Sequence, residues 1–302
     1  MIRIGVDFGG TKIEAAALDR DGRLLSRVRA ANPRDYDAAL QTVKTVVQAA
    51  ENEAGAQVDR VGVGMPGSIS PATGLVRNAN STFLNGRAFD RDLERVLARR
   101  VRVENDANCF ALSEATDGAA AGLAIVFGVI IGTGCGGGLV ASGRSVNGRN
   151  AIAGEWGHMP LPWPEPTELQ AHRCWCGRSD CMETWVSGTA LQADYSASGG
   201  GETDGATIVQ RAGAGEPAAR AALGRYIDRL ARGLAVICDI LDPDAIVLGG
   251  GLSNVDELYG ERLTRAIAAR VFSDYFTTPV LRPLHGDSSG VRGAAWLWPW
   301  AG

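Results

Sequence analysis

The chain has 302 residues, 45% of them hydrophobic and 21% charged, the balance of a soluble globular protein whose large core divides into two lobes. A formal net charge of −4, with Arg99-Arg100-Val101-Arg102 as the nearest thing to a basic run, argues against nucleic acid as a partner. The longest apolar run, residues 119–132, falls short of the roughly 20 residues a membrane span needs and is broken by glycine, and residues 1–10 carry no secretory pattern, so the expected location is cytoplasmic, with no membrane partner.

At the N-terminus IRIGVDF, KIEAAALD and RLLSRVR read as a meander of three strands, turned first by Gly9-Gly10-Thr11 and then by Asp21-Gly22. Leu40, Val43, Val47, Ala50 and Ala54 recur at helical spacing, which predicts a helix over 35–54. Residues 58–65 form another strand, stopped by Pro66-Gly67, and VRVEND leads from a short strand into a helix near Ala107. After residue 122 the pattern restarts: VFGVIIGTGCGGGLVASGR repeats the order strand, glycine turn, strand. A long amphipathic helix follows, with Leu223, Tyr226, Leu230, Leu234, Ile237 and Leu241 on one stripe. Asp242-Pro243-Asp244 ends it, AIVLG is a buried strand, and 255–271 reads as helix. The expected class is therefore α/β, with duplicated lobes of mixed sheets flanked by helices. The smaller lobe takes residues 1–118 with a C-terminal helix over 288–302, and the larger takes 119–287 with the cysteine cluster.

The 40 glycines gather in short strand-flanked turns. In DFGGTK, Gly9 and Gly10 let the backbone approach a bound group, Thr11 and Lys12 can donate to phosphate oxygens, and Asp7 suits a solvated Mg²⁺. Gly132-Thr133-Gly134 repeats the arrangement, and Gly249-Gly250-Gly251 adds a third turn after a strand, suited to the adenosine of a nucleotide. Asp106, in ENDAN, has two readings: an N-cap of the helix that follows, or a general base. Cys174, Cys176 and Cys181 cluster in RCWCGRSDC. Zinc wants four nitrogen or sulfur ligands, so one is missing, and His158 and His172 both compete for the place. Cys109, Cys135 and Cys238 stand singly in apolar or glycine-rich segments, as small core residues.

Taken together, D-x-G-G-T-K, END-A-N, GTGCGGG, E-W-G-H (155–158), C-x-C-G-x-x-x-C-x-E and the triple-glycine turn resemble the ROK family of sugar kinases over residues 1 to about 299. NANSTFLNG, AGEWGHMPLPW and HGDSSGVRGAAWLWP bring the chain nearest to its bacterial fructokinase and mannokinase branch. The resemblance implies a two-lobed actin-like ATPase fold, a homodimer, and ATP- and Mg²⁺-dependent phosphorylation of a hexose 6-hydroxyl. D-fructose is the expected substrate, with mannose second; glucose or an N-acetylhexosamine is the same-family alternative. It assigns Asp106 as general base, and Asn105, Glu155, His158 and Glu183 as contacts of the sugar hydroxyls. Asn80 and Ser68 are placed in the same pocket. It also resolves the fourth ligand in favour of His158, for a structural Zn²⁺ with Cys174, Cys176 and Cys181. Family repressors carry an extra N-terminal DNA-binding domain, whereas this chain opens on its first strand, which sets aside a regulator. The family's usual glycine before the last cysteine is here Asp180, a residue that tolerates positive φ better than most.

Overall fold

Described over residues 2–299, the computed structural model turns each predicted hairpin into the start of a five-stranded sheet. In chain order the elements are β1 (Arg3–Phe8), β2 (Lys12–Leu18), β3 (Leu24–Ala31), α1 (Tyr36–Ala54), β4 (Arg60–Met65), β5 (Ser68–Ile69) and β6 (Val76–Arg77). Then come α2 (Phe89–Leu97), β7 (Arg100–Asn105), α3 (Asp106–Thr116), β8 (Ile125–Ile131), β9 (Cys135–Ala141) and β10 (Arg144–Ser145). The remainder is helical apart from two strands: α4 (Glu183–Val186), α5 (Gly188–Tyr195), α6 (Gly205–Gly213), α7 (Pro217–Leu241), β11 (Ala245–Gly249), α8 (Glu261–Ala268), β12 (Val280–Leu281) and α9 (Ser289–Trp296).

The first sheet runs β3-β2-β1-β4-β7 and the second β10-β9-β8-β11-β12, the same order by position in the chain. In both, the central strand pairs in parallel with the strand that follows a helix, β1 with β4 and β8 with β11. This is the duplication expected from the repeated glycine hairpin. The chain splits into two compact units, Met1–Gly122 with Gly138–Ala153 and Leu284–Gly302, and Leu123–Gly137 with Gly154–Pro283.

In the first unit, alternate residues of β1 and β4 meet the stripe of α1: Ile4, Val6, Val61 and Val63 are buried with Leu40, Val43 and Val47. Phe8 meets Phe89 of α2 edge to face, with ring centroids 5.1 Å apart, so truncating Phe8 to alanine would cost about 3–5 kcal/mol. The unit also holds α9, which packs so close to β1 and α3 that a Cβ at Gly5 would overlap Val291 and one at Gly293 would overlap Cys109. In the second unit α7 buries the predicted stripe from Leu223 to Ile237 and stops at Asp242 in the left-handed region, φ 42°.

Three local readings change. The segment 255–271 is not one helix: Gly260 separates a 3-10 turn over Asp256–Tyr259 from the short α8. The C-terminal helix covers Ser289–Trp296 rather than 288–302, and residues 300–302 lie outside the described residues. Helix α2 was not expected, because its acidic and basic residues, Asp90, Asp92 and Arg95, mask a narrow apolar stripe of Phe89, Leu93 and Leu97. Among the described residues, no helix is long and apolar enough to cross a membrane.

Candidate active site and metal centre

In the first unit, the turn after β1 is held from both sides by Asn32. Its amide N–H donates to the Thr11 carbonyl (2.9 Å), and its Nδ2 donates to the Gly9 carbonyl (2.8 Å). Gly10 and Thr11 are exposed, while Lys12 Nζ lies 3.7 Å from Glu14 Oε2. Glu14 is fully buried and also takes Arg27 Nε at 2.6 Å and the Arg29 guanidinium. Asp7 is the penultimate residue of β1 and pairs across from Glu14 on β2. Burial, then the negative charges of Asp106 and Glu14, push its carboxyl up to about 6, against the pull of Lys12 and Arg27. Two predicted site residues, Asp7 and Asp106, thus feel one another's charge.

The cap of α3 is not Asp106. Asn105 takes that role, its Oδ1 accepting from the amides of Ala107 (2.9 Å) and Asn108 (3.3 Å), while its Nδ2 donates to the Gly67 carbonyl (3.1 Å). Asp106 is the first helical residue, half-buried, with Oδ1 2.8 Å from its neighbour's amide. A carboxylate in the first turn is favoured by the positive helix end. The sequence expects Asn105 to reach the sugar, but here its oxygen is committed to the helix. Ser68 Oγ accepts from Arg77 Nε at 3.3 Å, and Asn80 is exposed on the loop after β6.

In the second unit, the turn after β8 and the turn after β11 come together. Gly132, Thr133, Gly251 and Leu252 line a cavity of about 410 Å³ with Gly188, Thr189, Gln192 and Asp204 to Ala206. Two helices start on its wall: Ser187 caps α5 by accepting from the Ala190 amide, and Asp204 caps α6 by accepting from Thr207. Thr189 Oγ1 donates to the Thr133 carbonyl at 2.9 Å. Gly250 has φ 82°, and a Cβ there would stand 2.6 Å from the Ile131 carbonyl oxygen, so only glycine fits. The residues from helices α5 and α6 were missed in the sequence, although S-G-T (187–189) and D-G-A (204–206) are helix-start signals.

Glu155 precedes a 3-10 turn over Trp156–His158 that is anchored by Trp156 Nε1 on the Gly136 carbonyl. His158 Nδ1 lies 3.6 Å from Cys174 Sγ, and Cys176 Sγ lies 3.6 Å from Cys181 Sγ. The four ligand atoms of these residues all fall within 4.8 Å of one another. A tetrahedral zinc with Zn–S of about 2.3 Å spaces its ligand atoms roughly 3.5–3.8 Å apart, so the donor set and spacing suit that ion. His172 stands apart from them, its ring packed edge-on against Trp185 at 4.3 Å between centroids. Asp180 does adopt positive φ, 57°, and its carboxylate accepts from the amides of Gln170 (2.5 Å) and His172 (2.9 Å), so it closes the loop as well as fitting it. Glu183 bridges two parts of the unit: Oε1 accepts from Trp175 Nε1 (2.7 Å), between two of the cysteines, and Oε2 from the Cys135 amide (3.0 Å), at the end of the glycine turn.

The family described as the ROK family matches residues 3–300. The chain is 39% identical over 298 residues to an N-acetyl-D-glucosamine kinase of Pectobacterium carotovorum, covering 97% of each. Among solved structures it resembles a ROK hexokinase from Thermus thermophilus (32% identity, TM-score 0.87, 98% of this chain and 97% of that one). It also resembles a ROK glucokinase from Streptomyces griseus in complex with glucose and AMPPNP (29%, TM-score 0.79, 98% of each). The fold is thus the two-lobed actin-like ATPase fold. The relatives' names speak of N-acetylglucosamine and glucose, where the sequence stretches quoted above point to fructose.

Proposed function

The chain belongs to the ROK family as a sugar kinase, and from that premise we propose that it transfers the γ-phosphoryl group of ATP to the 6-hydroxyl of N-acetyl-D-glucosamine. The observation that carries the substrate is the 39% identity, over nearly the whole of both chains, to N-acetyl-D-glucosamine kinases. The fructose preference expected from the sequence gives way to it.

The chemistry rests on Asp106. The Asp106 carboxylate, at the start of α3, takes the proton of the 6-hydroxyl as that oxygen bonds to the γ-phosphorus and the bond to ADP breaks. Asp7, whose proton affinity is raised by burial and neighbouring carboxylates, is suited to a divalent counter-charge, and Mg²⁺ held there would neutralise phosphate charge. The cavity lined by Gly132, Thr133 and Gly251 is suited to the adenosine, and Lys12 to a phosphate. Glu155, His158 and Glu183 read as sugar-hydroxyl contacts. Zinc on His158, Cys174, Cys176 and Cys181 would be structural, tying the segment after Glu155 to the one before Glu183. A homodimer is part of the same reading.

A panel of hexoses in a coupled ADP-release assay tests the reading. N-acetyl-D-glucosamine should exceed fructose and glucose in kcat/KM by about tenfold or more, as a site that hydrogen-bonds one group discriminates against its absence. Fructose as the best substrate would overturn the sugar assignment, and no hexose-dependent ADP release would overturn the kinase.

A further inference from the structure

A second cavity, of about 710 Å³, lies wholly in the first unit, and none of the roles above uses it. Its walls bring Arg102 from β7 and Arg144 from β10 to one space, with Arg3 of β1 and Trp296 of α9 behind them. Among the described residues, neither Arg102 nor Arg144 has a carboxylate within ion-pair distance, whereas Arg99 of the preceding turn and Arg292 of α9 each have one. Arg102 is instead aimed by its own surroundings: Nη1 donates to the Leu297 carbonyl at 2.6 Å, and its guanidinium lies 4.2 Å from the Trp298 ring centroid. That leaves further N–H donors of a rigid fork to face the cavity. Arg3 sits 4.2 Å over Trp296, fixing the indole that forms the apolar wall.

The acid on the wall, Glu104, is engaged mainly through Oε1, which accepts from the Asn105 amide (2.9 Å) and from Asn108 Nδ2 (3.0 Å), while Oε2 lies 3.5 Å from Ser145 Oγ. Ser145, Asn147 and Thr116 complete the lining with hydroxyl and amide groups. Two guanidinium groups without a carboxylate partner favour a phosphate, an indole favours the apolar face of a sugar ring, and neutral donors and acceptors favour hydroxyls. We propose that this cavity is a second ligand site that binds a sugar phosphomonoester, the chemical class of the reaction's product. The phosphate part stands on the arginines alone; the sugar part rests on the proposed function. Glu104 places the site against the residue that caps α3, one position before Asp106.

The test is calorimetric titration of glucose 6-phosphate and of inorganic phosphate into the protein saturated with the hexose and ADP, so that the reaction site is filled. Arg102→Ala and Arg144→Ala are compared with the parent; Arg144 is exposed on a two-residue strand, which keeps its variant foldable. Saturable binding of glucose 6-phosphate, weakened about tenfold or more in each variant, is expected from the loss of a charge-assisted hydrogen bond. No saturable binding, or equal binding by both variants and the parent, overturns the site. Inorganic phosphate binding as tightly as the sugar phosphate overturns the ligand class. The hexose panel reads the kinase separately, since it never involves these arginines.

Discussion

The glycine turns after β1 and β8 occupy the same place in two sheets of the same strand order, but they are set in different chemistry. Two residues before the first glycine, one sheet has Asp7 and the other Ile130; three residues after it, one has Lys12 and the other Cys135. The first turn is surrounded by charge, with Asp7, Asp106, Glu14, Lys12 and Arg27 acting on one another. The second offers backbone and helix starts, around a cavity bounded by α5 and α6. Duplication preserved the backbone hairpin, because strand pairing and a tight turn demand it. The side chains were free to diverge, since a turn's geometry places little constraint on what precedes and follows it.

The sharpest way to break this contrast is to remove the charge where it is proposed to do chemistry. Asp106→Asn should leave nucleotide and sugar binding near wild type while lowering kcat by at least about a hundredfold. Turnover within a few-fold of wild type would leave the first turn without its catalytic distinction. Because Asn105 already caps α3, loss of the cap cannot explain a fall in kcat.

Next in size is the metal. His158→Ala should abolish zinc in elemental analysis and lower the unfolding temperature, since a site formed only in the native state adds its binding energy to stability. His172→Ala, whose ring packs on Trp185, should keep its zinc. Zinc retained in the first variant and lost in the second would mean the wrong histidine was assigned.

On the turn after β11, which borders the same cavity as the second, Gly250→Ala should destabilise the protein by roughly 2–4 kcal/mol, combining left-handed strain with overpacking against the Ile131 carbonyl. Gly251→Ala is the control: its Cβ would meet nothing within 4 Å and its φ is unexceptional, so chemical denaturation should show a far smaller change. Equal midpoints for the two variants would show that backbone shape is not what this turn requires.

The smallest effect concerns one buried carboxylate in each unit. Glu14 is surrounded by Lys12, Arg27 and Arg29, and Glu168 by Arg229 (2.8 Å) and Arg232 (2.8 Å). Burial alone would raise the Glu168 carboxyl, but hydrogen bonds from Arg232 and Arg229 hold it down to about 2. A depressed native value means stability that is present above the unfolded carboxyl's pKa of about 4.3 and lost as pH falls from there toward 2. Glu168→Gln should therefore be less stable than wild type at neutral pH, and the difference should shrink below about pH 4. Parallel stability curves for the two proteins across that range would remove Glu168 from the account.

Much of this was legible locally. The hairpins, α1 and α7 follow from apolar periodicity, and the glycine turns from residues that must pass close to backbone. Cys174, Cys176 and Cys181 lie within eight positions, so a short loop gathers them whatever the rest of the chain does. What only tertiary structure decided concerns groups brought together from afar. Whether His158 or His172 faces the thiols depends on how the chain returns after Met159, and the nearer histidine in sequence is the one turned away, onto Trp185. Asn105 and Asp106 are both good caps by residue type, and the choice fell to the one whose amide could also reach Gly67. The raised carboxyl of Asp7 comes first from burial and then from Asp106, ninety-nine positions later, and neither packing nor charge acting through space leaves a mark on the intervening sequence. The cavity beside Gly132 and Gly251 needed α5 and α6 folded against two turns more than a hundred residues apart, and only packing in the second unit determines that.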